Sequence, residues 1–275
     1  MDVQTLIFMF LGGIGIFVYG INLMGDALQK VAGDRLRELL DRFTSRPIMG
    51  VLTGIVVTGL IQSSSGTTVL TIGLVSAGFM TLRQAIGVIM GANIGTTVTA
   101  FIIGINISDY ALPIIASGTF LVFFFKNQKI NSIGQVFFGF GALFYGLTLM
   151  GDAMSPLRES EAFVNAMVNF GEYPLLGVLV GTVFTIIVQS SSASIALLQT
   201  LYDQGAIPLY AALPILFGDN IGTTITAVLA AIGASVVAKR ASLTHVLFNL
   251  IGTIIVLILL IPFTNLIEYF QSSFN

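Results

Sequence analysis

The sequence predicts an all-α polytopic membrane protein made of two inverted-topology repeats, each with three spanning helices and a re-entrant helical hairpin. Three features carry this expectation: an apolar composition, apolar stretches of bilayer-crossing length, and an internal duplication. Of the 275 residues, 55% are hydrophobic and 9% charged, and the mean hydropathy is +0.97, which is foreign to a soluble domain. Stretches 4–24, 84–104, 110–125, 131–150, 208–232 and 241–262 approach or exceed the ~20 residues of a spanning helix, so six full spans are expected. Only Met1, Asp2 and Val3 precede the first, without a basic region, so it reads as a retained helix rather than a cleaved signal. The absence of cysteine excludes disulfides and thiolate metal sites, and a net charge of -2 gives no reason to invoke nucleic acid. Tryptophan is absent too, which leaves Tyr and Phe to form any interfacial belt.

The duplication places one half on the other at a spacing of 126 to 127 residues. Tyr19-Gly20 and Leu23-Met24-Gly25-Asp26-Ala27 recur as Tyr145-Gly146 and Leu149-Met150-Gly151-Asp152-Ala153. Gln62-Ser63-Ser64-Ser65 recurs as Gln189-Ser190-Ser191-Ser192, and Gly91-Ala92-Asn93-Ile94-Gly95-Thr96-Thr97 as Gly218-Asp219-Asn220-Ile221-Gly222-Thr223-Thr224. This divides the chain into a first repeat, 1–127, and a second, 128–275. The last helices match weakly, through Gly118-Thr119 and Gly252-Thr253.

In each repeat the first span leads into an amphipathic surface segment, which in the first half carries Leu28, Val31, Leu36, Leu39, Leu40 and Phe43 at helical spacing. A hairpin follows, over 47–79 in the first repeat and 174–205 in the second. Helices over 47–62 and 66–79 would measure about 24 and 21 Å, short of a hydrocarbon core near 30 Å. A polar tip at that depth is tolerated only inside protein or against a water-filled cavity, which favours re-entry with the serines near the midplane. The third element is a helix expected to break at its glycines, over 84–104 and 208–232, and a last span completes the repeat. A pair that returns to its own side leaves an odd number of crossings per repeat, so successive repeats are inverted.

Charge gives a separate reading of the topology. With the N-terminus outside, Lys30, Arg35, Arg37, Arg42, Arg46, Arg83, Lys126, Lys129, Lys239 and Arg240 face the cytoplasm and only Arg158 lies outside. Both termini are then extracytoplasmic. The equivalent segments show the inversion: 26–46 holds five Lys or Arg, whereas 152–173 holds one, with Asp152, Glu159, Glu161 and Glu172.

Polar interruptions at matching places in two halves point to a transporter site at the repeat interface. At each serine tip one helix would end in free carbonyls and the next begin with free N–H groups, serving cations and anions respectively. Ser63, Ser64, Ser65, Ser190, Ser191 and Ser192, with Asn93 and Asn220, are therefore the anion-binding candidates. Gln62, Gln189, Thr96, Thr97, Thr223 and Thr224 supply the oxygens a sodium ion needs. Asp219 is the lone carboxylate within either glycine motif, facing Ala92 in the first half, and reads as an asymmetric ion ligand or proton carrier. No Lys or Arg lies within the expected spans to neutralise an anion, so co-bound cations would have to do so. Small residues also line helix contacts merely to permit close approach, which is the competing reading for Gly91, Gly95, Gly218 and Gly222. His245 and Asn249, near Lys239 and Arg240, read as structural hydrogen-bonding groups at the start of the last helix.

With the paired Gln-Ser-Ser-Ser and Gly-x-Asn-Ile-Gly-Thr elements, the chain resembles the type II sodium-dependent phosphate cotransporter family, bacterial branch. His245-Val246-Leu247-Phe248-Asn249 is similar to that family's His-x-x-Phe-Asn element. The resemblance implies symport of inorganic phosphate with sodium across the bacterial cytoplasmic membrane by alternating access, with no cofactor beyond the coupling ion and no enzymatic step. The architecture further suggests a homodimer. The first half departs from the pattern, with Ala111 to Ile115 where the His-x-x-Phe-Asn element would stand, and Asp219 occupies a position that is usually small. The rival readings are a transporter of another oxyanion or carboxylate, a passive anion channel, and an intramembrane serine hydrolase. The last fails because His245 belongs to a different helix end from the midplane serines.

Overall fold

The computed structural model describes residues 3–32, 47–105, 107–154, 156 and 173–274. Among them are eleven α-helices and no strand: α1 Val3–Ala32, α2 Pro47–Ile61, α3 Ser64–Ser76, α4 Leu82–Gly104, α5 Ala111–Phe124, α6 Gln128–Met154, α7 Pro174–Val188, α8 Ser191–Asp203, α9 Leu209–Ala230, α10 Val236–Ile258 and α11 Leu260–Phe274. Five segments are long and apolar enough to cross a membrane: Gln4–Val31, Leu82–Gly104, Gln128–Met154, Leu209–Ala230 and Val236–Ile258. The chain is a multi-pass membrane protein, all-α over the described residues. Most of the amphipathic segment, including Leu36, Leu39, Leu40 and Phe43, lies outside the described residues, as does most of 152–173.

Two expectations are corrected. The stretch 110–125 is a shorter helix than expected: α5 is 14 residues long, about 21 Å, after a 3-10 turn at Ser108–Tyr110. Backbone at Ile105 and Phe125 is extended, so residues that would lengthen the helix are used in its connections. The glycine-bearing helices are not broken either: α4 runs unbroken through Gly91 and Gly95, and α9 through Gly218 and Gly222.

The glycines are used for contact instead. A Cβ on Gly91 would lie 2.0 Å from the Val51 carbonyl oxygen, and one on Gly54 would lie 2.2 Å from that of Val88. The second half repeats both positions 127 residues on: Gly218 against Val178 O at 2.2 Å and Gly181 against Ile215 O at 2.1 Å. No side chain fits there, so α2 lies backbone to backbone on α4, and α7 on α9. The contacts advance together along both helices, from Pro47 with Gly87 to Thr58 with Gly95, so each pair is parallel. The short 77–81 connection returns α3 to the start of α4, hence to the end where α2 begins.

Contacts divide the chain into two compact units, Met1–Ala153 with Thr226–Leu243, and Met154–Ile225 with Thr244–Asn275. In the first unit, α1 and α6 cross antiparallel at paired glycines: Gly13 meets Gly146 and Met150, while Gly139 meets Gly20 and Met24. Gly13 meets the equivalent of Gly20, and Gly20 meets the equivalent of Gly13, 126 residues on in each case. The core of this unit is Val57, Ile61, Ile72, Val75, Val88 and Ile89 with Ala227, Ala238 and Ala241. In the second unit, Leu198 of α8 packs with Ile207, Ala211 and Ala212.

Candidate functional site

At the end of α2 the chain turns through Gln62, whose φ is 55°, and at the end of α7 through Gln189, whose φ is 54°. These are the two non-glycine residues with positive φ among those described, a conformation that costs about 1–2 kcal/mol per residue. The serine that follows is extended in both halves, Ser63 at φ -146°, ψ 103° and Ser190 at φ -140°, ψ 103°. Each serine then caps the next helix: Ser63 Oγ accepts from Gly66 N at 3.0 Å, and Ser190 Oγ from Ala193 N at 3.2 Å. Such a cap contributes about 1 kcal/mol. It leaves the amides of Ser64 and Ser65, and of Ser191 and Ser192, without intrahelical acceptors at the positive end of a helix.

The Gln62 side chain is 7% exposed and fixed at both ends. Its Oε1 accepts from Thr99 Oγ1 of α4 at 3.0 Å, and its Nε2 donates to the Gly59 carbonyl. Gln189, by contrast, is exposed. Under the first corner, Thr58 Oγ1 donates to Thr67 Oγ1 at 2.9 Å, and Thr67 Oγ1 donates to Ser63 O at 3.1 Å, pinning α2 to α3. The second corner repeats this with Thr185 and Ser194, whose hydroxyls are 2.8 Å apart, and Ser194 reaches Ser190 O at 3.2 Å.

One group breaks the likeness. Thr185 Oγ1 gives its one proton to Asp219 Oδ1 at 2.9 Å, where the first half has the fully buried Ala92. Asp219 is 1% exposed, and its Oδ2 has no hydrogen-bond partner among the described residues. A carboxyl buried with one oxygen unsatisfied takes up a proton or a cation.

The four candidate threonines send their protons into their own helices: Thr96 to Ala92 O at 3.2 Å, Thr97 to Ile94 O at 2.6 Å, Thr223 to Asp219 O at 2.9 Å and Thr224 to Ile221 O at 2.7 Å. A hydroxyl whose proton is used in this way offers only lone pairs, which suits a cation and not an anion. Asn93 and Asn220 are half-buried on α4 and α9. His245 is buried, its carbonyl accepts from Asn249 Nδ2 at 2.9 Å, and the Thr253 hydroxyl bonds both Asn249 O and Phe217 O.

Within the first unit the structure therefore joins Gln62 to α4 through Thr99, and within the second it joins Asp219 to the corner through Thr185. Sequence reasoning missed Thr58, Thr67, Thr99, Thr185 and Ser194. Thr58 and Thr185, and likewise Thr67 and Ser194, stand 127 residues apart, and that recurrence is the signal that could have found them.

The family described as Na+/Pi-cotransporter matches residues 16–152 and 156–270. YqeW of Bacillus subtilis is 33% identical over 252 residues, 92% of this chain and 82% of that protein. The "Putative inorganic phosphate export protein YjbB" of Escherichia coli is 30% identical over 257 residues, 94% of this chain and 47% of YjbB. The chain thus spans about half the length of that relative. Human sodium-dependent phosphate transport protein 2B is 37% identical over 97 residues, 34% of this chain and 14% of the human protein. No solved structure matches the chain.

Proposed function

The chain belongs to the Na+/Pi-cotransporter family, and on that premise we propose that it moves inorganic phosphate across the cytoplasmic membrane, coupled to sodium, by alternating access. The observation that carries this reading is the doubled corner: two glutamines held at the same unfavourable φ, each followed by a serine-capped helix start. Strain kept at equivalent points of two halves marks positions selected for what they bind. In this reading Ser63, Ser64, Ser65, Ser190, Ser191 and Ser192 and their amides, with Asn93 and Asn220, hold the phosphate oxygens. Gln62, Gln189, Thr96, Thr97, Thr223, Thr224 and Asp219 supply oxygen ligands for sodium, whose charge offsets that of the anion.

The pairs α2–α3 and α7–α8 are then re-entrant hairpins. At about 22 and 20 Å their helices are too short to cross, and α3 returns to the end where α2 starts. The glycine crossing of α1 and α6 supports two inverted repeats, 1–127 and 128–275. The positive-inside distribution puts both termini outside. Substrate passes unchanged, with sodium as coupling ion and no cofactor, and a homodimer is the expected assembly.

The test is uptake of radiolabelled phosphate into proteoliposomes. An inward sodium gradient is expected to raise initial uptake at least ~10-fold over a potassium gradient, with saturation and with weak competition by sulfate or carboxylates. Because YjbB is named for export, vesicles preloaded with phosphate under an outward sodium gradient form the reverse arm. Flux that neither saturates nor responds to sodium would identify a passive channel instead.

A further inference from the structure

In the first unit a groove of about 590 Å³ opens where α2 and α4 begin. Its wall follows Ile48 and Val51 of α2 and Ile86 and Met90 of α4, with Arg83 at its edge. Its lining from Leu82 to Met90 is about 12 Å long. The volume suits a ligand, yet the lining offers almost nothing polar except one exposed guanidinium. A free inorganic anion would lie against bare hydrocarbon there, and a neutral apolar molecule would leave Arg83 unused. The occupant that fits both parts has an apolar chain joined to an anionic head.

The same end of the unit holds more positive charge. Ser235 N donates to Ser76 Oγ at 3.1 Å, which brings the first turn of α10 to the end of α3, and Ala238 and Ala241 pack with Ala85. Lys239 and Arg240, both exposed, therefore sit at the end where Arg83 emerges. We infer that this groove is a binding site for an anionic phospholipid, one acyl chain lying along Ile48, Val51, Ile86 and Met90 beside the α2–α4 contact and the phosphate held at the Arg83 end. The bilayer supplies such a ligand at high local concentration, and basic pockets between spanning helices recognise it by charge. Its consequence is positional, because α2 ends at Gln62 and α4 carries Thr99, which is bonded to it. The inference needs the chain to lie in a membrane but does not need the transport reading, and its test is a binding measurement.

The full chain, purified in a neutral detergent, would be titrated with phosphatidylglycerol and with phosphatidylcholine of the same acyl composition, and bound lipid counted by native mass spectrometry. The wild type is expected to favour phosphatidylglycerol at least ~5-fold, the contribution of about one basic residue near a headgroup. Arg83→Gln should erase most of that preference, and Ile86→Trp, which fills the groove, should weaken both lipids together. Both variants should elute as the wild type does on gel filtration, since Arg83 is exposed and Ile86 only half-buried. Equal binding of the two lipids, or an Arg83→Gln protein that keeps the preference, would overturn the inference. Displacement of the lipid by millimolar inorganic phosphate would overturn it too, by revealing a free-anion site.

Discussion

Asp219→Asn is expected to lower the apparent sodium affinity of phosphate uptake by about 100-fold, the effect of losing about 3 kcal/mol from a buried charge pair. The substitution keeps an oxygen where Oδ1 accepts from Thr185, so α7 and α9 stay joined. What it removes is the negative charge that a bound cation would stabilise on a group 1% exposed whose Oδ2 has no partner among the described residues. A charge left so unsatisfied destabilises the protein alone and attracts a cation. The variant should therefore melt no lower than the wild type while losing sodium activation. The sodium dependence of initial uptake, together with a detergent melting curve, checks both halves of the statement. Unchanged sodium activation would remove Asp219 from the ion site.

The second large effect concerns the fold. Gly91→Ala and Gly181→Ala should each lower the melting temperature in detergent by about 5–10 °C, equivalent to roughly 2–3 kcal/mol of overpacking. The new Cβ would fall 2.0 Å from Val51 O in one case and 2.1 Å from Ile215 O in the other. These are backbone atoms and cannot swing aside, so the helices must part and draw the corners with them. Gly12→Ala and Gly15→Ala, where nothing lies within 4 Å, are the controls and should hold or gain stability. Equal melting of all four variants would mean that neither α2 and α4 nor α7 and α9 lie in backbone contact.

The glycines also show where a sequence stops being readable. Gly91-x-x-x-Gly95 is the same string whether a helix unwinds there or another backbone presses on it, and only the position of α2 decides between them. The short helix pairs α2–α3 and α7–α8 were legible because their evidence is local. Apolar runs too short to cross, separated by Gln-Ser-Ser, leave few arrangements, and the helices start at Pro47 and Pro174 as expected. Thr81 and Gln84 form a capping box that starts α4 just as plainly, with Gln84 Oε1 accepting from Thr81 N at 2.9 Å. Part of the shortness of α5 was legible, in Asn106, Ser108 and Asp109 ahead of it, but the extended backbone at Phe125 was not. Nor was the Thr185–Asp219 bond, made between residues 34 apart on two helices. The sequence marks the carboxylate as odd, and the fold supplies its partner.

The central claim is that the serine corner of each half takes part in carrying phosphate. Initial rates of sodium-driven uptake by Ser64→Ala and Ser191→Ala test it most directly, because each side chain is buried in the first turn after the break and its removal leaves the capping Ser63 or Ser190 intact. A hydrogen bond to a charged group is worth about 1.5–3 kcal/mol, so each variant should lose about 10- to 100-fold in kcat/KM. Wild-type rates from both proteins would contradict the account.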